Sequence, residues 1–350
     1  MKHLLPPVER YFKTSLHAHS TVSDGKLTPE EVRDAYREEG FQVLALTDHT
    51  VIAEHQHLNL PDFLMLTGCE VSISEAKYIK GEPYTVRCRH LNIISKDPYR
   101  LWQPMYVPEE QMETGYFKGT EQGGMPRTYD NDNINAIIDL CNKEGFLVMY
   151  NHPVWSLEYY PDYTPMKGLW GFEYRNTGSI LSGYDENNSR IYDDFLQLGN
   201  RMVPLIADDM HSRYCKGGIK SLGGGWVMVG AEKLEYGSVM EALERGDLYA
   251  SCGPEIRSLT LDGDQLTVEC SPAVRIQLLT HTRNVKCQFP EEGENALTQG
   301  VFSLKTWREK YSDSPNSYIR LVVTAADGTY AVTRAYGKEE LFGEKGTELL

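Results

Sequence analysis

Residues 15–49 read SLHAHSTVSDGKLTPEEVRDAYREEGFQVLALTDH. An apolar start at Leu16 carries two histidines, His17 and His19, and ends in the turn Ser23-Asp24-Gly25. TPEEVRDAYREEG (28–40) then has the signals of a helix: Thr28 as N-cap, Pro29 and Glu31 in the first turn, and Gly40 as the stop. FQVLALTDH (41–49) follows as a buried strand ending on Asp48 and His49. Strand, helix and apolar strand in succession point to a parallel sheet with helices packed on it.

The pattern repeats outward. FLMLTGCEVSI (63–73) and RHLNII (89–94) read as strands, DNINAIIDLCNKEG (132–145) as a capped helix, and FLVMYNHP (146–153) as a strand. LWGFEYRN (169–176) and RMVPLIADDMH (201–211) are two more strands separated by IYDDFLQLGN, which has helical spacing, and GSVMEALERG (237–246) is a last amphipathic helix. Seven strand-like segments with helices between them predict an α/β fold, doubly wound or closed into a barrel. Two regions depart from this. Residues 97–131 lack periodicity, and a loop of that length is usually functional. After CGPEI (252–256) come short strands and an Asp-Gly turn, which predict a small antiparallel, sandwich-like β domain over 255–350 beside a larger one over 1–254.

Composition narrows the function. A formal charge of -15 opposes binding to duplex nucleic acid, which needs a basic face. No apolar run is long enough to cross a bilayer, and MKHLLPPVERYFK has no signal-peptide core, so the expected location is the cytoplasm and no membrane partner is expected. The seven cysteines are scattered without a Cys-x-x-Cys pair, so any metal would be held by nitrogen and oxygen.

Alternate strand residues share a face, so His17 and His19 point the same way. His49, His90, His152 and His211 also fall at or in strand segments, mostly at carboxyl ends, where α/β barrels build their sites. Glu70 lies inside an apolar strand, where an unpaired carboxylate is costly; Asp209 precedes His211 by two residues, and Asp24 sits in the first turn. Each has an ordinary reading. Asp24 could be a turn former, His90 a core histidine, and Asp48 a partner orienting an imidazole. His55 and His57 read as surface residues. Together, so many costly polar groups on one edge of a sheet argue for zinc, manganese or iron(II).

The ordered set SLHAHSTVSDG, LTDH, GCEVS, RHLNII, NHP and DDMH resembles the successive motifs of the PHP (polymerase and histidinol phosphatase) superfamily over roughly the first 250 residues. The resemblance implies a distorted seven-stranded parallel (β/α)7 barrel and up to three divalent metal ions. Carried over by motif, His17, His19, Glu70 and Asp209 would hold one. Glu70, His90 and His152 would hold a second, with Glu70 bridging, and Asp24, His49 and His211 a third. Some relatives have histidine in place of Asp24. DDMH offers Asp208 as well, and the Asp-x-His spacing favours Asp209.

Such a centre would place a metal-bridging hydroxide against a phosphorus atom. Three divalent cations set against Glu70, Asp24 and Asp209 would leave a local charge of about +3, drawing in a phosphate despite the acidic surface. The expected activity is metal-dependent phosphoesterase hydrolysis of a small soluble nucleotide or sugar phosphate. Asp48, Asp209 or His211 would deliver the proton to the leaving group. Arg175 and Arg213, with Lys216 and Lys220, are candidates for holding phosphate. Trp102, Tyr106 and Tyr116 could stack on a base or sugar. The rival readings are an amidohydrolase-like enzyme of C–N bonds and a noncatalytic metal- or carbohydrate-binding protein.

Overall fold

A computed structural model describes residues 1–6, 11–79, 82–105, 122–215 and 217–343. After the short β1 (Lys2–His3) come β2 (Phe12–Ser15), α1 (Pro29–Glu38) and β3 (Val43–Leu46). Helix α1 starts where the sequence places it. Thr28 Oγ1 accepts from the Glu31 N–H at 3.3 Å, and the Glu31 carboxylate accepts from the Thr28 N–H at 2.8 Å. Val32, Ala35 and Tyr36 bury one face of the helix in a cluster with Phe41, Leu44 and Met65. β3 pairs in parallel with β2 and with β4 (Leu64–Ile79), completing the unit expected from residues 15–49.

The next strand corrects the expectation of seven parallel strands. β5 (Glu82–Ser95) follows β4 with no helix between them and runs antiparallel to it over a long hairpin. Without a crossover the chain cannot return to the parallel starting edge. Then come the short parallel pair β6 (Gln103–Met105) and β7 (Gln122–Met125), α2 (Asn131–Lys143) and β8 (Phe146–Tyr150). β8 also lies antiparallel to β5. Beyond α3 (Tyr160–Tyr163), parallel pairing resumes through β9 (Gly171–Asn176) and, after α4 (Thr177–Leu181) and α5 (Ser189–Gln197), through β10 (Val203–Ala207).

Strand pairing does not close these seven into a ring. The ends of β2 and β10 meet in one isolated parallel bridge, Ala18 to Met210. The ladder instead passes from β2 into the antiparallel β11 (Trp226–Val229) and, past α6 (Tyr236–Arg245), into β12 (Leu248–Ser251). The remaining elements are β13 (Ile256–Asp262), β14 (Gln265–Ala273), β15 (Arg275–Thr280), β16 (Lys286–Gln288), β17 (Leu297–Ser303), α7 (Lys305–Lys310), β18 (Ile319–Thr324), β19 (Tyr330–Thr333) and α8 (Lys338–Phe342). One mixed sheet of 13 strands runs from β10 to β16, and β1, β13, β14 and β17 form a second, antiparallel sheet. Leu259, Leu266 and Val268 of the second sheet share a core with Ile276, Leu321 and Val323 of the first.

This topology positions the site. The chain leaves β2, β3, β8 and β10 at one edge, and Glu70 of β4 is bridged there to His49. No described helix is long and apolar enough to cross a membrane. All seven cysteines are free thiols.

Candidate metal centre

Glu70 is the hub. Its carboxylate is almost fully buried and faces five imidazoles. Oε1 lies 3.3 Å from His17 Nε2, 3.0 Å from His90 Nδ1 and 3.2 Å from His152 Nε2. Oε2 lies 3.0 Å from His49 Nδ1 and 3.5 Å from His19 Nε2. Asp209 Oδ1 stands 3.2 Å from His17 Nε2 and 3.1 Å from His19 Nε2. Asp24, at the cavity mouth, lies 3.3 Å from His211 Nε2 and 3.8 Å from both His19 Nδ1 and His49 Nε2. All nine side chains named as metal candidates from sequence therefore meet in one cluster.

The backbone is bent to achieve this. Asp209 has φ +51° and His152 φ +20°, the left-handed region that non-glycine residues seldom occupy. Strain of this kind, worth roughly 1–3 kcal/mol each, persists where the surroundings fix the residue. Gly25 is needed nearby, because a Cβ there would meet the His19 carbonyl oxygen at 2.6 Å.

These donor atoms are packed more closely than their mutual hydrogen bonds satisfy. His17 Nε2 and His19 Nε2 are 3.2 Å apart, and buried Asp209 Oδ1 and His90 Nδ1 have no partner with hydrogen-bond geometry. Four overlapping groups, His19/Asp24/His49/His211, His17/His19/Glu70, His17/His152/Asp209 and His49/Glu70/His90, each have ligand atoms within 4.8 Å of one another. Imidazole and carboxylate donors at this spacing fit divalent cations.

Proton affinities say the same. Burial opposes charge on His17 and His90, but Asp209, Glu70 and Glu173 hold His17 well above its usual range, and Glu70 pushes His90 up to about 10. Burial would raise the carboxyls of Glu70 and Asp209, yet the surrounding histidines hold both well below the normal carboxylate range. His211, lowered by burial but raised by Asp24 and Asp209, stands at about 9. Burial lowers His19, while Glu70 and Asp209 favour positive charge close to them.

A second layer, not read from the sequence, fixes the first. Glu173, fully buried in β9, accepts from His17 Nδ1 at 2.6 Å, from the His152 N–H at 2.9 Å and from Asn176 Nδ2 at 2.9 Å. Asn151 Nδ2 donates to Glu70 Oε1 at 2.7 Å and to Asn92 Oδ1 at 2.9 Å. The signal for Glu173 was available: a carboxylate inside an apolar strand, the argument already applied to Glu70.

The other sequence candidates sit elsewhere. Asp48 is buried away from the cavity, its oxygens accepting from the Ser20 and Ser23 N–H groups and from both serine hydroxyls. It holds the loop that carries His19 and Asp24. Asp208 accepts from the N–H groups of Gly223 and Gly225, leaving Asp209 for the cluster. Arg175 does not reach the cavity: its Nη1 donates to Asn187 at 2.8 Å. Arg213 is paired with Glu38, and Lys220 with Glu39. Trp102 packs on Phe146 at 5.9 Å between ring centroids. Tyr106, Tyr116 and Lys216 lie outside the described residues.

The cluster forms the floor of a cavity of about 370 Å³ lined by Asp24, His49, Glu70, His90, His152, Trp155, Gly178, Ser179, Ser182, Asp209, His211, Ser212, Cys215 and Ser221. The family model of the PHP domain matches residues 15–159, which contain seven of the nine clustered histidines and acids, all but Asp209 and His211. Over 124 residues the chain is 30% identical to a 5'-3' exoribonuclease of Haemophilus influenzae, a match covering 34% of this chain and 43% of that protein. This chain thus matches less than half the length of that protein. Among solved structures, a two-domain protein of Bacteroides vulgatus described as containing a predicted PHP-like metal-dependent phosphoesterase is similar over 96% of this chain and 98% of its own, at 16% identity and a TM-score of 0.44. An amidohydrolase of Chromobacterium violaceum with bound sulfate and no metal is similar over 59% of this chain and 89% of its own, at 16% identity and a TM-score of 0.35.

Proposed function

We propose that the chain is a metal-dependent phosphoesterase that hydrolyses an ester of a small soluble phosphate. The observation that carries this reading is the convergence of nine side chains in one cluster, with Asp24, His49, Glu70, His90, His152, Asp209 and His211 lining an open cavity and His17 and His19 buried behind them. His17, His19, Glu70 and Asp209 would hold one divalent cation. Glu70, His90 and His152 would hold a second, and Asp24, His49 and His211 a third; zinc, manganese and iron(II) all suit these donors. Bound cations would supply Lewis acidity and acidify a water for attack.

The chain's own residues do the rest. Glu173 and Asn151 fix the orientation of His17 and Glu70. Asp48 holds the 20–23 loop through four hydrogen bonds and does not line the cavity. His211, with its side chain 38% exposed at the cavity, would give a proton to a departing alcohol only where Asp24 and His49 hold the third cation without it.

The test is chelator-stripped protein reloaded in turn with manganese, iron(II) or zinc, then assayed on phosphate monoesters, diesters and simple amides. Ester cleavage that depends on reloading is the expected result. A reloaded protein that cleaves amides and no ester would establish the C–N hydrolase reading, and one that retains no metal would end both.

A further inference from the structure

The turn after β8 does more than deliver His152. In HPVWSLEYY (152–160), the Val154 and Trp155 N–H groups both donate to the Glu186 carboxylate, at 3.0 and 2.6 Å. The Ser156 N–H donates to the His152 carbonyl at 3.1 Å, and Pro153 removes a further degree of freedom. Trp155 therefore stands on a fixed backbone. Its ring lies 4.9 Å from that of His152 at 77° and 5.3 Å from that of His90 at 45°. It lines the same cavity as the cluster and is only partly buried.

Trp155 stands out there. Among the described residues lining the cavity it is the one large apolar side chain, and none is Lys or Arg. Leu157, Tyr159 and Tyr160 continue from it along the surface, 55%, 60% and 52% exposed. An indole left partly in water forgoes burial that it would gain in a core, and its flat face suits another ring.

Building on the phosphoesterase reading, we propose that Trp155 is a specificity-determining residue: its indole is a platform on which a planar ring of the substrate stacks while the phosphoryl group sits over the histidine and carboxylate cluster. The substrate class is then a phosphate ester bearing a nucleobase or an aryl ring, in preference to aliphatic esters such as sugar or glycerol phosphates. The described lining holds the phosphate through its cation-binding floor and offers one surface for the rest of the molecule. An indole that only braced His90 and His152 would act on every ester alike.

The experiment compares wild type, Trp155→Phe and Trp155→Ala, each reloaded with manganese and checked for metal content, on AMP, p-nitrophenyl phosphate and glycerol 2-phosphate. Base stacking on an aromatic side chain corresponds to roughly tenfold or more in binding. Trp155→Ala is expected to raise KM for the ring-bearing esters about tenfold relative to glycerol 2-phosphate, and Trp155→Phe to recover most of the difference. A change confined to AMP assigns the platform to a nucleobase; a change in both ring-bearing esters assigns it to any flat ring. Equal losses on all three esters, or no loss, would overturn the proposal. Calorimetric binding of AMP and glycerol 2-phosphate to the same proteins separates the two levels. If wild type cleaves no ester, the phosphoesterase reading falls, and AMP binding that is insensitive to Trp155→Ala then removes the platform as well.

Discussion

The Glu173 carboxylate lies 2.6 Å from His17 Nδ1, and both side chains are completely buried. The other Glu173 oxygen accepts from the His152 backbone and from Asn176, so one carboxylate fixes the aim of His17 and the unusual backbone turn that presents His152. An imidazole that donates through Nδ1 offers its Nε2 lone pair to the cluster. Glu173→Gln keeps the volume but loses the charge. It is expected to weaken metal binding about 10- to 100-fold, as measured by competition with a chromophoric chelator. Unchanged affinity would reduce Glu173 to a packing residue.

His17 is the ligand candidate with least freedom to be replaced, because Glu70, Asp209 and Glu173 all converge on its ring. His17→Ala is expected to eliminate ester hydrolysis and to lower bound metal, with circular dichroism still reporting a folded chain. Full turnover in this variant would remove the first metal group from the scheme.

Metal removal should be visible in stability as well as activity. Glu70, Asp209 and Glu173 are gathered in a buried space, and a cation that binds only the folded arrangement stabilises it by mass action. At a free metal concentration about 100 times Kd the gain is roughly 2.7 kcal/mol. Scanning calorimetry is therefore expected to show a melting temperature several degrees higher in reloaded than in chelator-treated protein. Coincident melts would mean that the cluster takes up no cation.

The sequence discloses the ligand candidates better than their supports. His-x-His, Asp-x-His and a glutamate inside an apolar strand are visible because each contradicts its apolar setting. The fold is legible where local signals act alone, as in the capping of α1 by Thr28 and Glu31. It is not legible at β5, where strand direction is set by the missing crossover rather than by any residue's propensity. Arg175 shows the same limit at the site. Alternation would put it on the face of Glu173, but the β9–β10 register shifts between Leu205 and Ile206, and its guanidinium instead bonds Asn187.

Arg213 gives a prediction of little effect. The sequence suggests a phosphate contact near His211, whereas the structure ties the guanidinium to Glu38 of α1 at the surface. An exposed pair of this kind contributes about 0–1 kcal/mol. Arg213→Ala is expected to leave KM for a phosphate ester within about twofold and to shift the melting temperature by little. A large rise in KM would return Arg213 to the substrate.

The cavity wall that carries Ser212 and Ser221 depends on glycine. Ser212, Cys215 and Ser221 line the cavity, and the chain beyond them is fastened by the Asp208 carboxylate, which accepts from the N–H groups of Gly223 at 2.7 Å and Gly225 at 2.9 Å. A Cβ at Gly225 would meet Ile206 Cγ2 at 2.2 Å, far inside contact distance. Gly225→Ala must therefore push this segment off Asp208 or displace β10, which leads directly to Asp209. Overpacking of this kind costs roughly 1–3 kcal/mol, and the expected result is a destabilised protein with reduced ester hydrolysis. Ile206→Ala removes the clashing methyl at the cost of a cavity, so the double variant should be less destabilised than the sum of the two single changes. Denaturant unfolding of all four proteins measures that coupling, and strict additivity would show that the clash is not what makes glycine necessary there.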